Sequence, residues 1–238
     1  MSSRSLIFFI AVVTVVSAAR AEVPIHVQAG AGRNRAAIKL LKEAEDQLET
    51  GNLEQAKSRI DAALRSDPKL WPALYTRAKV FLLQDKCELA IRDCNEALRQ
   101  SRTFIEAALL RASANACLGR YSEALKEIDH CITIRPRSDA YARALKNRAW
   151  LQATCPDPAF RNGEQAIKDA MNACKLLHWQ DENAIDILAA AYAEVGDFDS
   201  AVQYAQQALA ISGISPRDHK RTQRHLALFK QHKPVRWP

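Results

Sequence analysis

Glycine and aromatic residues are scarce in this chain of 238 residues, which contains 7 glycines and 7% aromatic side chains. The only closely spaced glycines, Gly30 and Gly32, follow no strand-like segment, so no phosphate-binding loop of a nucleotide-binding α/β fold is predicted. The body is rich in Ala, Leu, Glu, Gln, Lys and Arg, and these residues favour helices over strands. The sequence therefore predicts an all-α protein.

A hydrophobic run long enough to span a membrane is also lacking. Residues 6–16 are apolar apart from Thr14, but a membrane span needs about 20 apolar residues. Arg4 precedes this run, and Ala19 and Ala21 place small residues at −3 and −1 of a cleavage site, as in a signal peptide. Residues 1–21 are therefore predicted to be a signal peptide cleaved after Ala21, or two residues earlier, and the protein to be exported (periplasmic or secreted). An uncleaved N-terminal membrane anchor is the alternative.

A six-residue motif ending in alanine recurs along the rest of the chain. Its alanines stand at positions 56, 90 and 124, two steps of 34 residues, and a further copy ends at position 201. Seven residues after each alanine stands another small residue, at positions 63, 97, 131 and 208. This pattern resembles the tetratricopeptide repeat (TPR) family, and the resemblance covers about residues 37–232.

The resemblance implies an α-solenoid of about five helix-turn-helix repeats with a concave side, preceded by a flexible linker at 22–36 and followed by a basic capping helix and tail at 216–238. The predicted repeats are 37–70, 71–104, 105–138, 142–181 and 182–215. The fourth is irregular because an insertion containing Pro156 and Pro158 disfavours helix there. Ser215 followed by Pro216 predicts the start of the capping helix.

The segment RAWLQATCPDP, residues 148–158, is similar to a bacterial exported TPR subfamily with a WLxATCPDP-type repeat. That likeness implies a bacterial origin, but the subfamily supplies no activity to carry over.

The TPR resemblance also implies which side chains face the concave groove, because positions 2, 5, 6, 9, 12 and 13 of each first helix point there. Basic and amide groups beside aromatic side chains suit an extended peptide. We therefore predict a non-enzymatic scaffold that binds a peptide or partner protein, without a cofactor. A packing role for Trp150 is the alternative. The predicted groove residues are Tyr75, Lys79, Leu109, Ser113, Arg143, Lys146, Asn147 and Trp150.

Six cysteines lie beyond the predicted signal peptide, and an even number in an exported chain is compatible with disulfides. The inserted loop brings Cys155 towards Cys174, which makes this the first predicted pair. Cys87 and Cys117 stand at helix ends on one rim and form the second. A metal- or thiol-dependent protein that uses Cys155, Cys174 and His178 is the alternative function, although no metal site or catalytic residue is assigned.

Charge is concentrated at the C-terminus, where residues 216–238 carry seven basic side chains and one acidic one. A solvated cap that covers the last repeat is the expected role. An anionic membrane surface is a second partner for this segment, whereas nucleic acid is not expected because the rest of the exported chain is close to neutral.

Overall fold

The computed structural model describes residues 35–134 and 138–237, and within them the chain forms eleven α-helices, one short 3-10 helix and no β-strand. This confirms the all-α prediction. The helices are α1 Arg35–Glu49, α2 Leu53–Ser66, α3 Trp71–Leu83, α4 Cys87–Gln100, α5 Ile105–Cys117, α6 Tyr121–Thr133, α7 Ser138–Thr154, α8 Gly163–Leu176, α9 Glu182–Glu194, α10 Phe198–Leu209 and α11 Pro216–Phe229, with the 3-10 helix at Pro158–Phe160.

The predicted signal peptide, 1–21, and most of the predicted linker, 22–36, lie outside the described residues. The last two linker residues begin α1 instead. Each predicted repeat corresponds to a consecutive pair of helices, although the fourth pair begins at Ser138 rather than at residue 142. Within the described part of the chain, no helix is both long enough and apolar enough to cross a membrane.

The described residues fall into two compact units. The N-terminal unit comprises residues 35–119, and the C-terminal unit comprises residues 120–134 and 138–237. In the N-terminal unit, α1 packs on α2, α3 on α4, and each pair packs on the helix that follows it. In the C-terminal unit, α7 packs on α6, α8 and α9, while α10 packs on both α9 and α11.

Small residues of the repeat are fully buried at the second helix of each pair. The alanines that define the period, together with their counterparts in the fourth and fifth pairs, have no exposed surface. A methyl group at these positions lets neighbouring helices approach closely, which a larger side chain would prevent. The buried set is Ala56, Ala90, Ala124, Ala166 and Ala201.

A left-handed residue ends the first helix of several pairs. Gly51 has a φ of 80°, and a Cβ atom there would meet nothing within 4 Å, so backbone conformation rather than space favours glycine. In the second pair Asp85 takes the same role with a φ of 62°. Aspartate tolerates this region better than most residues do, which explains how the turn survives without glycine.

An arginine in the first helix of two pairs ties three helices together. Arg77 in α3 donates to Asp93 in α4 over 2.7 and 2.9 Å and to Asp61 in α2 over 3.0 Å. Arg148 in α7 likewise contacts one carboxylate in α8 and one in α6. The hydrogen bonds that they donate to these carboxylates raise the pKa of Arg77 and Arg148. These two arginines thus link successive repeats.

The inserted loop is held against the end of α9. Its Arg161 donates to the carbonyl oxygen of Cys155 over 2.9 Å and forms an ion pair with Glu194 over 2.9 Å. Gly163 begins α8 directly beside Val195, and a Cβ atom at Gly163 would stand 2.5 Å from Cγ1 of that valine. The residue at this position must therefore be small for the loop to close on α9.

Ser215 is the N-cap of α11, as its sequence context predicts, because its hydroxyl oxygen accepts a hydrogen bond from the main-chain N–H of Asp218 over 3.1 Å. The helix ends at Phe229, and residues 233–237 continue without helical structure. Phe229 has no exposed surface and packs into the core of the C-terminal unit. The predicted capping helix is therefore part of that core.

Candidate functional site

The predicted groove residues of the N-terminal unit are mainly packing residues. Tyr75 and Leu109 are buried. The Tyr75 ring meets the ring of Phe104 edge-on at 4.9 Å, and Nζ of Lys79 lies 5.6 Å from the centre of the same tyrosine ring. Ser113 donates its hydroxyl to the carbonyl oxygen of Leu109 over 3.0 Å. These four side chains therefore present little free polar chemistry.

In the C-terminal unit, the predicted groove residues share one face of α7. Arg143, Lys146, Asn147 and Trp150 follow one another at steps of three and one residues, which places them on the same side of a helix. Because α7 packs on α9, the equivalent face of α9 begins at Asn183, forty residues after Arg143. We call these two adjoining surfaces the α7–α9 face.

Lys146 is used inside the protein. Its side chain is 4% exposed, and its ammonium group donates to both carboxylate oxygens of Asp181 over 3.0 and 3.2 Å. Asp181 is also the N-cap of α9, where it accepts from the main-chain N–H of Ala184 over 2.7 Å. Lys146 therefore joins α7 to the start of α9, and its charge is already compensated.

Trp150 is half-buried against the core of the C-terminal unit, and its ring stacks on the ring of His225 in α11 with centroids 5.9 Å apart. This is the packing role that the sequence left open. The indole Nε1 is nevertheless buried without a hydrogen-bond partner, and so is the amide Nδ2 of Asn147. Two donors on one face of α7 thus lack an acceptor within the described chain.

Asn183 adds a third donor of the same kind. It lies in the first turn of α9, is 9% exposed, and its Nδ2 also lacks a partner among the described residues. It lines an open cavity of about 280 Å³ together with Asp181, Asp218 and the 211–215 loop. Asn183 is not among the predicted groove residues, although the repeat register places it at position 2 of the fifth repeat.

A buried ion network fixes α11 against α9. The carboxylate of Asp186 contacts Nδ1 of His225 over 2.9 Å and Nε of Arg221 over 3.3 Å. Burial alone would raise the pKa of Asp186, but these two partners hold it below its ordinary value. Arg221 also pairs with Glu182 over 3.0 Å and Asp218 over 2.8 Å. This arginine therefore contributes little to the basic surface that the sequence assigned to α11.

The C-terminal tail, residues 233–237, packs on the end of the α7–α9 face. Val235 and Trp237 are each 7% exposed, whereas Arg236 between them is exposed. The main-chain N–H of Trp237 donates to the carbonyl oxygen of Thr154 over 2.7 Å, and Arg236 pairs with Glu194 over 2.6 Å. The tail is thus docked, so two side chains of the segment predicted to form a solvated cap, Val235 and Trp237, are buried instead.

The cysteines follow the second predicted pairing rather than the first. A disulfide joins Cys87 to Cys117, at the start of α4 and the end of α5. Cys155 and Cys174 are both buried and are free thiols, so the first-ranked pair is not formed.

The alternative site at Cys155, Cys174 and His178 has little chemical support. Burial raises the pKa of Cys174 to about 12 and also raises that of Cys155, so neither is a ready thiolate nucleophile. His178 is exposed beyond the end of α8. Among the described residues, the ligand atoms close enough to share an ion belong to Asp85 and the two disulfide cysteines, Cys87 and Cys117.

The succession of paired helices, small buried residues and left-handed turns defines a TPR-type helical solenoid fold. No known protein-family model and no curated protein matches the chain. Solved structures do match. A thermophilic TPR protein of Thermus thermophilus is similar with a TM-score of 0.70 and 19% sequence identity, covering 81% of this chain and 100% of that one.

Two further structures agree with this fold. A TPR protein of Parabacteroides merdae gives a TM-score of 0.63 at 17% identity, over 92% of this chain and 77% of that one. The PilF protein of Pseudomonas aeruginosa gives a TM-score of 0.63 at 18% identity, over 84% of this chain and 91% of that one. At these identities the likeness establishes the TPR fold, which confirms the fold that the 34-residue period predicts.

Proposed function

We propose that this protein is a non-enzymatic scaffold that binds an extended segment of a partner protein along the α7–α9 face. The observation that carries the proposal is a set of three buried donors that have no partner among the described residues, at Asn147, Trp150 and Asn183. All three are N–H groups. An extended peptide offers a row of main-chain carbonyl oxygens, which are the acceptors that such donors require.

Buried hydrogen-bond donors without a partner raise the free energy of the folded protein. Leaving one buried donor without a partner costs about 1–3 kcal/mol, so native proteins contain few of them. Three on one face reduce the stability of the free protein and favour a bound state in which they are paired. The aromatic surface of Trp150 beside them adds the kind of anchor on which protein interfaces concentrate their binding energy.

The enzyme alternative is weaker because the α7–α9 face lacks an activated nucleophile among its described residues. Its titratable groups are paired internally, as with Lys146 and Asp181, and the buried thiols have raised pKa values. Unpaired hydrogen-bond donors that lack an adjacent base or nucleophile are suited to binding a partner rather than to catalysing a reaction. A metal analysis of the purified protein separates the two functions, since stoichiometric zinc would favour the cysteine-centred alternative.

We place the partner in the cell envelope or outside the cell, because residues 1–21 have the pattern of a signal peptide. The WLxATCPDP-type subfamily, with its bacterial exported members, is part of the same proposal. Mass spectrometry of the native protein should find Glu22 at the N-terminus. An intact Met1 in the membrane fraction would instead favour an N-terminal anchor.

The test uses the double variant Asn147→Ala with Asn183→Ala. A partner recovered with the wild-type protein from envelope extract should bind this variant at least about tenfold more weakly, because two charge-neutral hydrogen bonds are lost. The melting temperature of the free variant should not fall, since neither amide donor has a partner to lose within the part of the chain that the structure describes.

The matched control is Asn172→Ala, which removes an exposed asparagine from α8 and should leave both binding and stability unchanged. Normal binding by the double variant would contradict the proposal. A marked loss of stability in the double variant would show that the two amides are structural groups.

A further inference from the structure

The docked tail has the conformation of a bound peptide. After α11, His232 adopts a left-handed conformation with a φ of 55°, and residues 233–237 then run without helical structure. Their exposure alternates, with Val235 and Trp237 buried and Arg236 exposed. A period of two is that of an extended segment lying on a surface, and it differs from the period of the helices around it.

The surface beneath the tail continues the α7–α9 face. Thr154 follows Trp150 by four residues and therefore lies on the same side of α7. Glu194 stands forty residues after Thr154, at the equivalent position of α9. The tail thus occupies the far end of the surface on which the unpaired donors lie.

We propose that this far end is a peptide-binding site which the tail fills in cis, and that the partner segment must compete with the tail for it. A partner segment that fits this site carries an arginine between an aliphatic and an aromatic residue, as the tail does. The inference deepens the proposed function and rests on it, since it assigns one end of the same face and the chemistry of the segment bound there.

The contacts of the tail show why this chemistry fits. The last carbonyl groups of a helix accept no hydrogen bond from within that helix. At the end of α7, the main-chain N–H of Trp237 donates to the carbonyl oxygen of Thr154 over 2.7 Å. The guanidinium of Arg236 donates to the carbonyl oxygen of Ala153 over 3.4 Å. The negative end of the helix dipole favours a cation at this point. Glu194, which also pairs with Arg161, places a carboxylate oxygen 2.6 Å from the guanidinium of Arg236.

Displacement of the tail must overcome the burial of Val235 and Trp237 and the ion pair of Arg236 with Glu194. The tail contributes one main-chain hydrogen bond to α7, while its residues must give up their conformational freedom to dock. The indole Nε1 of Trp237 is buried without a partner among the described residues, so the fit is incomplete. A tethered segment nevertheless competes strongly, because a short link gives an effective concentration on the order of millimolar.

The test measures binding of a fluorescein-labelled peptide with the sequence of residues 231–237, QHKPVRW, by fluorescence anisotropy. Two proteins with the tail released are compared with the wild type: one lacking residues 234–238, and the full chain with Trp237→Ala. Both should bind the peptide at least about tenfold more tightly than the wild type does, because the tethered competitor is gone. A peptide with glutamate in place of the arginine should not bind.

The matched control is Trp237→Phe, which keeps an aromatic ring and removes an indole N–H that has no partner in the described chain. It should resemble the wild type. Absence of peptide binding by a folded tail-released protein would overturn the inference, and so would unfolding of both variants, because the tail would then be a fixed part of the core. Dimers of the wild type that disappear on tail deletion would overturn it too, by showing that the site joins two copies.

The two proposals can fail separately. The tail-released proteins could bind the peptide while the double variant Asn147→Ala with Asn183→Ala still captures the partner normally. That result would support the tail site and contradict the proposed role of the unpaired donors. Loss of partner capture in the asparagine variant, without any peptide binding by a tail-released protein, would retain the proposed function and remove the tail site.

Discussion

The guanidinium of Arg148 in α7 holds the carboxylate of Asp169 in α8 through two hydrogen bonds, of 2.6 Å from Nε and 2.9 Å from Nη2. Asp169 is buried. Arg148→Ala should therefore leave a buried carboxylate without its charged partner and lower the free energy of unfolding by roughly 3 kcal/mol, measured by urea titration. The control is Arg99→Ala, which removes an exposed arginine paired with Glu96 and should leave the unfolding midpoint unchanged.

Acid should destabilise the C-terminal unit through Asp186. Its pKa in the folded protein lies below the ordinary value of 3.8, because His225 and Arg221 favour the carboxylate despite burial. Such a group contributes stability above its ordinary pKa and loses it as the pH falls through the lower folded pKa. We expect the urea midpoint to fall below about pH 4.

Asp186→Asn should flatten this acid limb while lowering stability at neutral pH, where the ion network is intact in the wild type. Asp199→Asn, at an exposed position of α10, is the control and should keep the wild-type profile. An acid limb of unchanged size in Asp186→Asn would show that other carboxylates cause the loss.

The packing register is tested at Ala124, which has no exposed surface. Ala124→Leu forces a larger side chain between closely approaching helices and should cost about 1–3 kcal/mol of unfolding free energy. Ala227→Leu makes the same change at an exposed position of α11 and should have little effect on thermal melting. Equal melting temperatures for the two variants would contradict the register.

The contact between α8 and the residue after α9 predicts a coupled pair. Gly163→Ala introduces a Cβ atom 2.5 Å from Cγ1 of Val195 and should cost on the order of 1 kcal/mol. Val195→Ala removes that methyl group and should recover most of the loss in the double variant. A double-mutant cycle in urea measures the coupling, and strictly additive effects would show that the two residues do not touch.

Thiol labelling tests the disulfide pattern. Alkylation of the denatured but unreduced protein should modify Cys94, Cys131, Cys155 and Cys174 and leave the other two cysteines linked. Peptide mapping should then recover one disulfide-linked pair that contains Cys87 and Cys117. Recovery of a peptide linking Cys155 to Cys174 would instead support the pairing that the inserted loop suggested.

The repeat architecture was readable from the sequence because it depends on local, periodic requirements. A buried alanine such as Ala56 recurs wherever two helices must approach closely, and Gly51 recurs wherever a helix ends in a left-handed turn. These requirements act within one repeat and return every 34 residues. Periodicity alone therefore gave the helix pairs, and Ser215 with Pro216 gave the start of α11.

The side-chain contacts on the α7–α9 face could not be predicted from the sequence in the same way. The register identifies the side of α7 that carries Lys146 and Trp150, but their partners, Asp181 and His225, stand 35 and 75 residues later and recur at no fixed spacing. The tail is basic and aperiodic, so the sequence suggested a solvated segment. Burial of Val235 and Trp237 follows from the tertiary surface that α7 and α9 create.

The bridge between Cys87 and Cys117 has a consequence for how the N-terminal unit opens. In repeat arrays each unit is stabilised by its immediate neighbours, so end repeats fray without disturbing those further along. A covalent link from α4 to α5 crosses the boundary between the second and third repeats. Fraying that begins at α1 should therefore halt before this boundary, and the amide protons of α4 and α5 should exchange with solvent as one cooperative group.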